Sequence, residues 1–157
     1  MRNIWLLIVS VTLILFALVG FYLLYNSINM EKNEVKYSSV GERIYYMGKG
    51  SDGKYIEYTD GPNWLAPMKT RGCVNCHGED GKGGYPIAMT STVAPDITYN
   101  SLTSAEPYTD ETIKRAITQG IDESGEQLNI IMPRWKMTAE DLDEILAYLK
   151  DMHSSQK

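Results

Sequence analysis

Five consecutive residues, Cys73-Val74-Asn75-Cys76-His77, restrict this chain more than any other feature in it. They hold both cysteines of the protein and one of its two histidines. Two thiols three positions apart share one short helical turn, and an imidazole follows directly. This is the C-x-x-C-H pattern that carries a covalent haem c. The thiols can add to the two vinyl groups on one porphyrin edge, and His77 is then placed as an axial ligand of the iron. Three other uses of the cysteines compete. A redox pair of the thioredoxin type sits near a βαβ pattern, whereas the approach Ala66-Pro67-Met68-Lys69-Thr70-Arg71-Gly72 contains no Val/Ile-rich strand. A structural zinc takes four ligands, and the soft donors on offer are Cys73, Cys76, His77 and His153, with Cys76 and His77 adjacent. A plain disulfide leaves His77 without a purpose. The motif occurs once and the sequence has no internal repeat, so one haem is expected.

A buried disc of that size would answer a shortage elsewhere. Residues 41–152 hold 24 Leu, Ile, Val and Met among 112, and no Phe. That is about 21%, near the range in which chains tend towards disorder. A domain with so thin a core needs a staple, a metal or a buried cofactor. Both phenylalanines lie instead in the uncharged 22-residue run from Ile4 to Tyr25. As a helix this run is about 33 Å long, enough to cross a hydrocarbon core. It exceeds the roughly 7–15 residues of a signal-peptide core, and Ala17 and Gly20 fall inside it with the wrong spacing for cleavage. The organisation expected is an anchor over 1–25, a tether over 26–40, a domain over 41–152 with a looped insertion at 48–72, and a tail over 153–157.

Arg2 and the α-amino group precede the run, and Lys32 behind it is opposed by Glu31 and Glu34. The positive-inside rule then puts the N-terminus in the cytoplasm and the domain on the extracytoplasmic, periplasmic side. Lys and Arg number 15 against 20 Asp and Glu, a net −5, and residues 31–157 carry −6. A basic groove for nucleic acid is excluded, and the length left for the domain excludes a multidomain enzyme.

The sixth iron position separates electron transfer from ligand chemistry. Met47 and Met68 precede the motif, and Met89 follows it closely. Met132 stands before Pro133, which disfavours helix at Met132 and favours an extended backbone able to lay a thioether across a flat cofactor. Met132 is therefore the expected ligand, with Met137, Met89, His153 or an open site as alternatives. His153, behind the last apolar helical residue, suits a solvent-facing helix terminus.

Local signals give four helical pieces and no alternating strand. They are Gly41–Met47, the haem-motif turn, a helix from the cap Thr109 to Gln119 ended by Gly120, and a last helix capped by Thr138. The last helix carries Leu142, Ile145, Leu146 and Leu149 on one face. The insertion is rich in Gly, Asp, Tyr and Pro and reads as loop.

The ordered set Gly41-Glu42-Arg43-Ile44-Tyr45, Cys73 to Gly78, Ala94-Pro95-Asp96-Ile97-Thr98, Met132-Pro133 and Asp143 to Lys150 resembles the class I c-type cytochromes over about residues 41–152. Lys114 to Asp122 and Met132-Pro133-Arg134-Trp135 look more closely like a bacterial subgroup of exported monohaem members. The resemblance implies an all-α fold around one haem, with Gly41 and Tyr45 of the first helix crossing Tyr148 and Leu149 of the last. It implies that Pro95 offers its carbonyl to the second nitrogen of His77, and that Trp135 or Arg134 reaches a haem propionate, with ordinary packing the alternative for Trp135. The insertion departs from the shortest members, and its Tyr55, Tyr58 and Trp64 would cover a haem edge or form a docking patch.

The function implied is an electron carrier rather than an enzyme, shuttling between membrane complexes and exported redox proteins or docked as a subunit of a respiratory complex. A haem-based sensor or small haem enzyme with an open or labile sixth site is the alternative. The motif makes a direct prediction: denatured protein on a gel keeps a haem-linked peroxidase stain. Replacing Cys73 and Cys76 together with serine abolishes it, and a stain that persists in the double variant refutes the attachment.

Overall fold

The chain divides into two compact units, residues 1–36 and 37–157. The computed structural model describes residues 2–31, 35–68, 71–88, 90–104 and 107–152. Met89 and His153, both weighed as iron ligands, lie outside the described residues.

The first unit is one helix, α1, Arg2–Glu31. Its stretch Asn3–Asn26 has a mean hydropathy of 2.8 and is long and apolar enough to cross a membrane. Trp5, Phe16 and Phe21 are among the large apolar side chains left uncovered. A helix apolar on every side suits a lipid or a buried setting rather than a water-facing one. The helix continues to Glu31, so part of the expected tether is helical; no Gly or Pro interrupts residues 26–31.

In the second unit the regular elements among the described residues are five helices and one two-residue strand pair, joined by long irregular segments. Helix α2, Val40–Met47, starts at Ser39, whose hydroxyl accepts from the amide of Glu42. The Glu42 carboxylate in turn accepts from the amide and hydroxyl of Ser38, at 2.5 and 2.7 Å. The strand β1, Tyr58–Thr59, lies in the insertion. The haem-motif turn is α3, Val74–His77. Next comes α4, Tyr99–Ser104, which the sequence did not announce: its six residues are polar except for buried Leu102, too few to show a period. Helix α5, Asp110–Gln119, begins in a capping box of Thr109 and Thr112 and buries Ile113. The strand β2, Arg134–Trp135, pairs antiparallel with β1, Tyr58 opposite Trp135 and Thr59 opposite Arg134. Helix α6, Ala139–Met152, closes the fold, with Ile145, Leu146, Leu149 and Met152 buried and Leu142 only half-buried.

The helices α2 and α6 form the principal helix–helix contact. A β-carbon on Gly41 would stand 2.1 Å from the carbonyl oxygen of Glu144 and 2.7 Å from Cβ of Tyr148, so only glycine allows this approach. Tyr45, wholly buried, sets its ring 5.3 Å from that of Tyr148. Its hydroxyl donates to the carbonyl of Gly78 at 2.6 Å, which ties α2 to the end of the haem motif. Burial pushes the phenol well above its ordinary range and keeps it a donor.

The insertion is less of a loop than its composition implies. Ile56 and Leu65 are buried members of the main core, and Trp64 packs against it. Tyr58 turns its ring onto Trp135 at 5.1 Å. Of the three aromatics considered for a surface role, Tyr55 is the exposed one; Arg71 lies over its ring at 4.0 Å and Lys49 at 5.2 Å. The two-residue strand pair escaped the sequence because an alternation cannot be seen in two residues.

Asp141 fastens the insertion to α6. Its carboxylate accepts from the amide of Ser51 at 2.7 Å, and its own amide donates to Thr138 Oγ1 at 3.1 Å. Burial by itself would raise this carboxyl; the hydrogen bonds from Ser51 and around Thr138 outweigh it, and the group lies below its ordinary value. A depressed folded-state pKa stabilises at pH values above the unfolded carboxyl's and loses that contribution as pH falls through the folded value. Asp141→Asn, which keeps an acceptor and loses the charge, is expected to cost about 1 kcal/mol at pH 7. The melting temperature should fall by about 4 °C. The gap from wild type should close as pH falls below about 4. Thermal melts at several pH values test this; a gap independent of pH contradicts the assignment.

Candidate functional site

Cys73 leads directly into the single turn α3. The amides of Cys76 and His77 both donate to the carbonyl of Cys73, at 3.1 and 2.9 Å, so both sulfurs and the imidazole spring from one tight turn. The turn stops at Gly78, whose φ of 76° lies in the region that favours glycine. Cys73 and Cys76 are half-buried, and no disulfide joins them. Burial pushes the Cys73 thiol up to about 12 and raises that of Cys76. This is the reverse of the depressed thiol pKa that thiol–disulfide enzymes use. Among the described residues no group of three or more His, Cys, Asp and Glu is placed to hold a metal ion; His153, the fourth donor of the zinc alternative, lies outside them.

His77 is buried, and its Nδ1 lies 2.9 Å from the carbonyl oxygen of Pro95. A carbonyl only accepts, so Nδ1 carries the proton and donates it. Burial pulls the imidazole below its ordinary pKa, against the Pro95 bond and Asp96, both of which favour the charged form. The ring is thus neutral with its free lone pair on Nε2, the form that binds a metal. The Pro95 carbonyl is itself fixed by its surroundings. The amide of Gly83 donates to the carbonyl of His77 at 2.8 Å, that of Gly84 to Ala94 at 2.9 Å, and that of Ile97 to Gly81 at 2.8 Å. The glycine loop after the motif and the segment 94–97 are therefore one hydrogen-bonded unit under the imidazole.

Met132 is half-buried. Its backbone is a bend rather than the extended run expected, because its amide closes a turn on the carbonyl of Asn129 at 3.0 Å; extension begins only at Arg134. Met137, the rival sulfur, packs against the main core, the ordinary role of a methionine. Arg134, named with Trp135 as a contact for a haem propionate, is engaged with its own loop. Its side chain is 9% exposed and its guanidinium donates to the carbonyls of Leu128, Asn129 and Met132. Nothing in the sequence marked it for this, since the three carbonyls belong to the backbone. Trp135, 3% exposed, packs on Tyr58.

The donor set fits a covalent haem. Two unpaired thiols on one turn, a neutral imidazole with Nδ1 held and Nε2 available, and a loop methionine outside any helix are what such a group takes up. A family model described as Cytochrome c matches residues 66–153, more than half of the chain. No curated protein and no solved structure matches. The single C-x-x-C-H turn, the mostly helical elements around it and this match agree, and the chain belongs to the cytochrome c family, as a class I c-type cytochrome.

Proposed function

We propose that this protein is a monohaem electron carrier held by α1 at the outer face of a cytoplasmic membrane. Membership of the family makes it an electron-transfer haem protein. The finer reading assigns Cys73 and Cys76 to the thioether bonds, His77 and Met132 to the two axial positions, Pro95 to the orientation of His77, and Trp135 to contact with a haem propionate. Covalent haem c supplies one-electron chemistry between ferrous and ferric iron.

The observation that carries the reading is the bond between His77 Nδ1 and the Pro95 carbonyl. It fixes the tautomer before any metal arrives, sets the ring plane, and makes the imidazole a better donor through Nε2. Met132 is favoured as the second ligand because Met137 is used in the core. Two strong-field ligands that stay in place on changing oxidation state suit electron transfer, and methionine raises the potential.

Anchoring is supported by the unbroken helix over Asn3–Asn26, well beyond a signal-peptide core, and the outward placement of the domain by Arg2 against the mixed charges that follow. The partners are redox proteins, either membrane complexes or exported carriers, and the net −6 of residues 31–157 suits a basic docking face. Protease added to intact spheroplasts is expected to release a haem-bearing fragment of roughly residues 31–157. Protection until lysis would reverse the orientation, and a processed N-terminus would replace the anchor with a cleaved leader.

The ligand assignment has its own test. Ferric wild-type protein should show the weak charge-transfer band of a haem-bound thioether near the red edge of the visible spectrum. Met132→Ala should lose it, lower the reduction potential and let carbon monoxide bind the ferrous form, while Met137→Ala keeps the band. Ready binding of carbon monoxide by the wild type at neutral pH would give the site to the sensor or enzyme class.

A further inference from the structure

We propose that Arg134 is the positioning residue for Met132, and that the Tyr58–Gly61 stretch of the insertion acts with it. Together they lock the loop that presents the thioether. This rests on the reading of Met132 as the sixth ligand.

Four carbonyls around Met132 are held. Arg134 Nη2 donates to Leu128 at 2.8 Å, and Nη1 donates to Asn129 at 3.4 Å and to Met132 itself. The fourth carbonyl, that of Ile130, accepts from the amide of Gly61 at 2.9 Å, on the insertion side. The loop is also pinned at its start, where the amide of Leu128 donates to Gly120 at 2.8 Å, and within itself by Asn129 Oδ1 accepting from Ile131 at 3.0 Å. Beyond Pro133 the chain enters the ladder of β2 with β1, and the amide of Lys136 donates to Glu57 at 2.8 Å. The Met132 loop is thus bonded by the guanidinium fork of Arg134 and, through Ile130, by Gly61 of the insertion.

Two features show that the guanidinium is fitted to this position. Gly120 ends α5 with a φ of 65°, and a β-carbon there would fall 1.8 Å from Arg134 Nε. The glycine both terminates the helix and leaves the room that the arginine fills. Asp60 Oδ2 lies 4.0 Å from Nε, so the buried cation faces a carboxylate from the insertion. A planar fork can serve several carbonyls of one turn at once, which a lysine ammonium on a flexible stem does poorly.

The consequence follows from the weakness of the thioether as a ligand. If the turn had to order each time the sulfur bound, the ordering entropy would oppose the bond. A loop ordered beforehand removes that opposition, and small ligands lose the competition for the iron.

The test uses the full-chain holoprotein in detergent. The ferric thioether band and the far-ultraviolet helix signal are followed together on heating, and carbon monoxide binding to the ferrous form is titrated. In the wild type the two signals should melt together. In Arg134→Gln the band should fade at temperatures where the helices persist, and apparent carbon monoxide affinity should rise by about tenfold or more. Arg134→Lys should fall between, and Lys136→Ala, which removes only an exposed ion pair with Glu57, should match wild type. An Arg134→Gln protein with the band and the carbon monoxide response of the wild type overturns the proposal. So does a change of reduction potential alone, which would assign Arg134 to a haem propionate. Should Arg134→Gln fail to accumulate as a haem protein, the same two readings on Arg134→Lys decide, and wild-type values overturn the proposal. A wild type that lacks the band overturns the reading of Met132 at the outset, so the two failures are told apart.

Discussion

The hydroxyl of Tyr45 rests on the carbonyl of Gly78, and the geometry of the domain can be followed outwards from that bond. Gly78 ends the turn that carries the thiols and the imidazole, so its carbonyl marks where that turn stops. Tyr45 belongs to α2, and its ring meets Tyr148 of α6. The crossing of first and last helix is thereby registered against the haem motif through one side chain. The close approach at Gly41 serves the same end, because a wider separation of α2 from α6 would draw the Tyr45 ring away from Tyr148. A buried phenol without an acceptor would cost about 1–3 kcal/mol. The bond therefore penalises any packing in which the motif and the helix pair drift apart.

Much of this frame was legible from residues alone. Caps are local devices, and Thr109, Gly120 and Thr138 stand at the helix ends they signalled. The C-x-x-C-H turn is local too, since its geometry depends on five consecutive residues. What escaped was long-range or too short to have a period. Helix α4 contributes one apolar residue, Leu102, and the strand pair two residues a side. Ile56 and Leu65 stand singly among turn formers, so their burial depends on what lies across from them. The bend at Met132 was missed for a related reason. Pro133 restricts the residue before it, but the turn is closed by Asn129, three positions upstream, and held by Arg134.

The thin core leaves the irregular segments with little apolar surface to order them, and arginine takes over that work. All four arginines outside α1 donate to main-chain carbonyls in irregular segments: Arg43 to Gly50 and Ser51, Arg71 to Met68, Arg115 to Asp122, and Arg134 to the Met132 loop. The lysines behave differently. Lys54, Lys114, Lys136 and Lys150 pair with carboxylates at or near the surface, where such pairs contribute at most about 1 kcal/mol. The division follows from the two head groups. A guanidinium is weakly hydrated and presents five donors in a plane, so it can be drawn inward and shared among carbonyls; an ammonium holds its water and stays outside. A carbonyl left unpaired beneath the surface would cost about 1–3 kcal/mol, which these donors avoid, although Nε of Arg43 and of Arg115 is itself buried without a partner. In a domain with 24 Leu, Ile, Val and Met among 112 residues, hydrogen bonding orders the irregular segments beside the packing of residues such as Ile56 and Leu65. The loop that bears Met132 is the clearest case. Its backbone is held by an arginine and by the insertion, two elements far apart in sequence, and this ties the insertion to the loop that bears Met132.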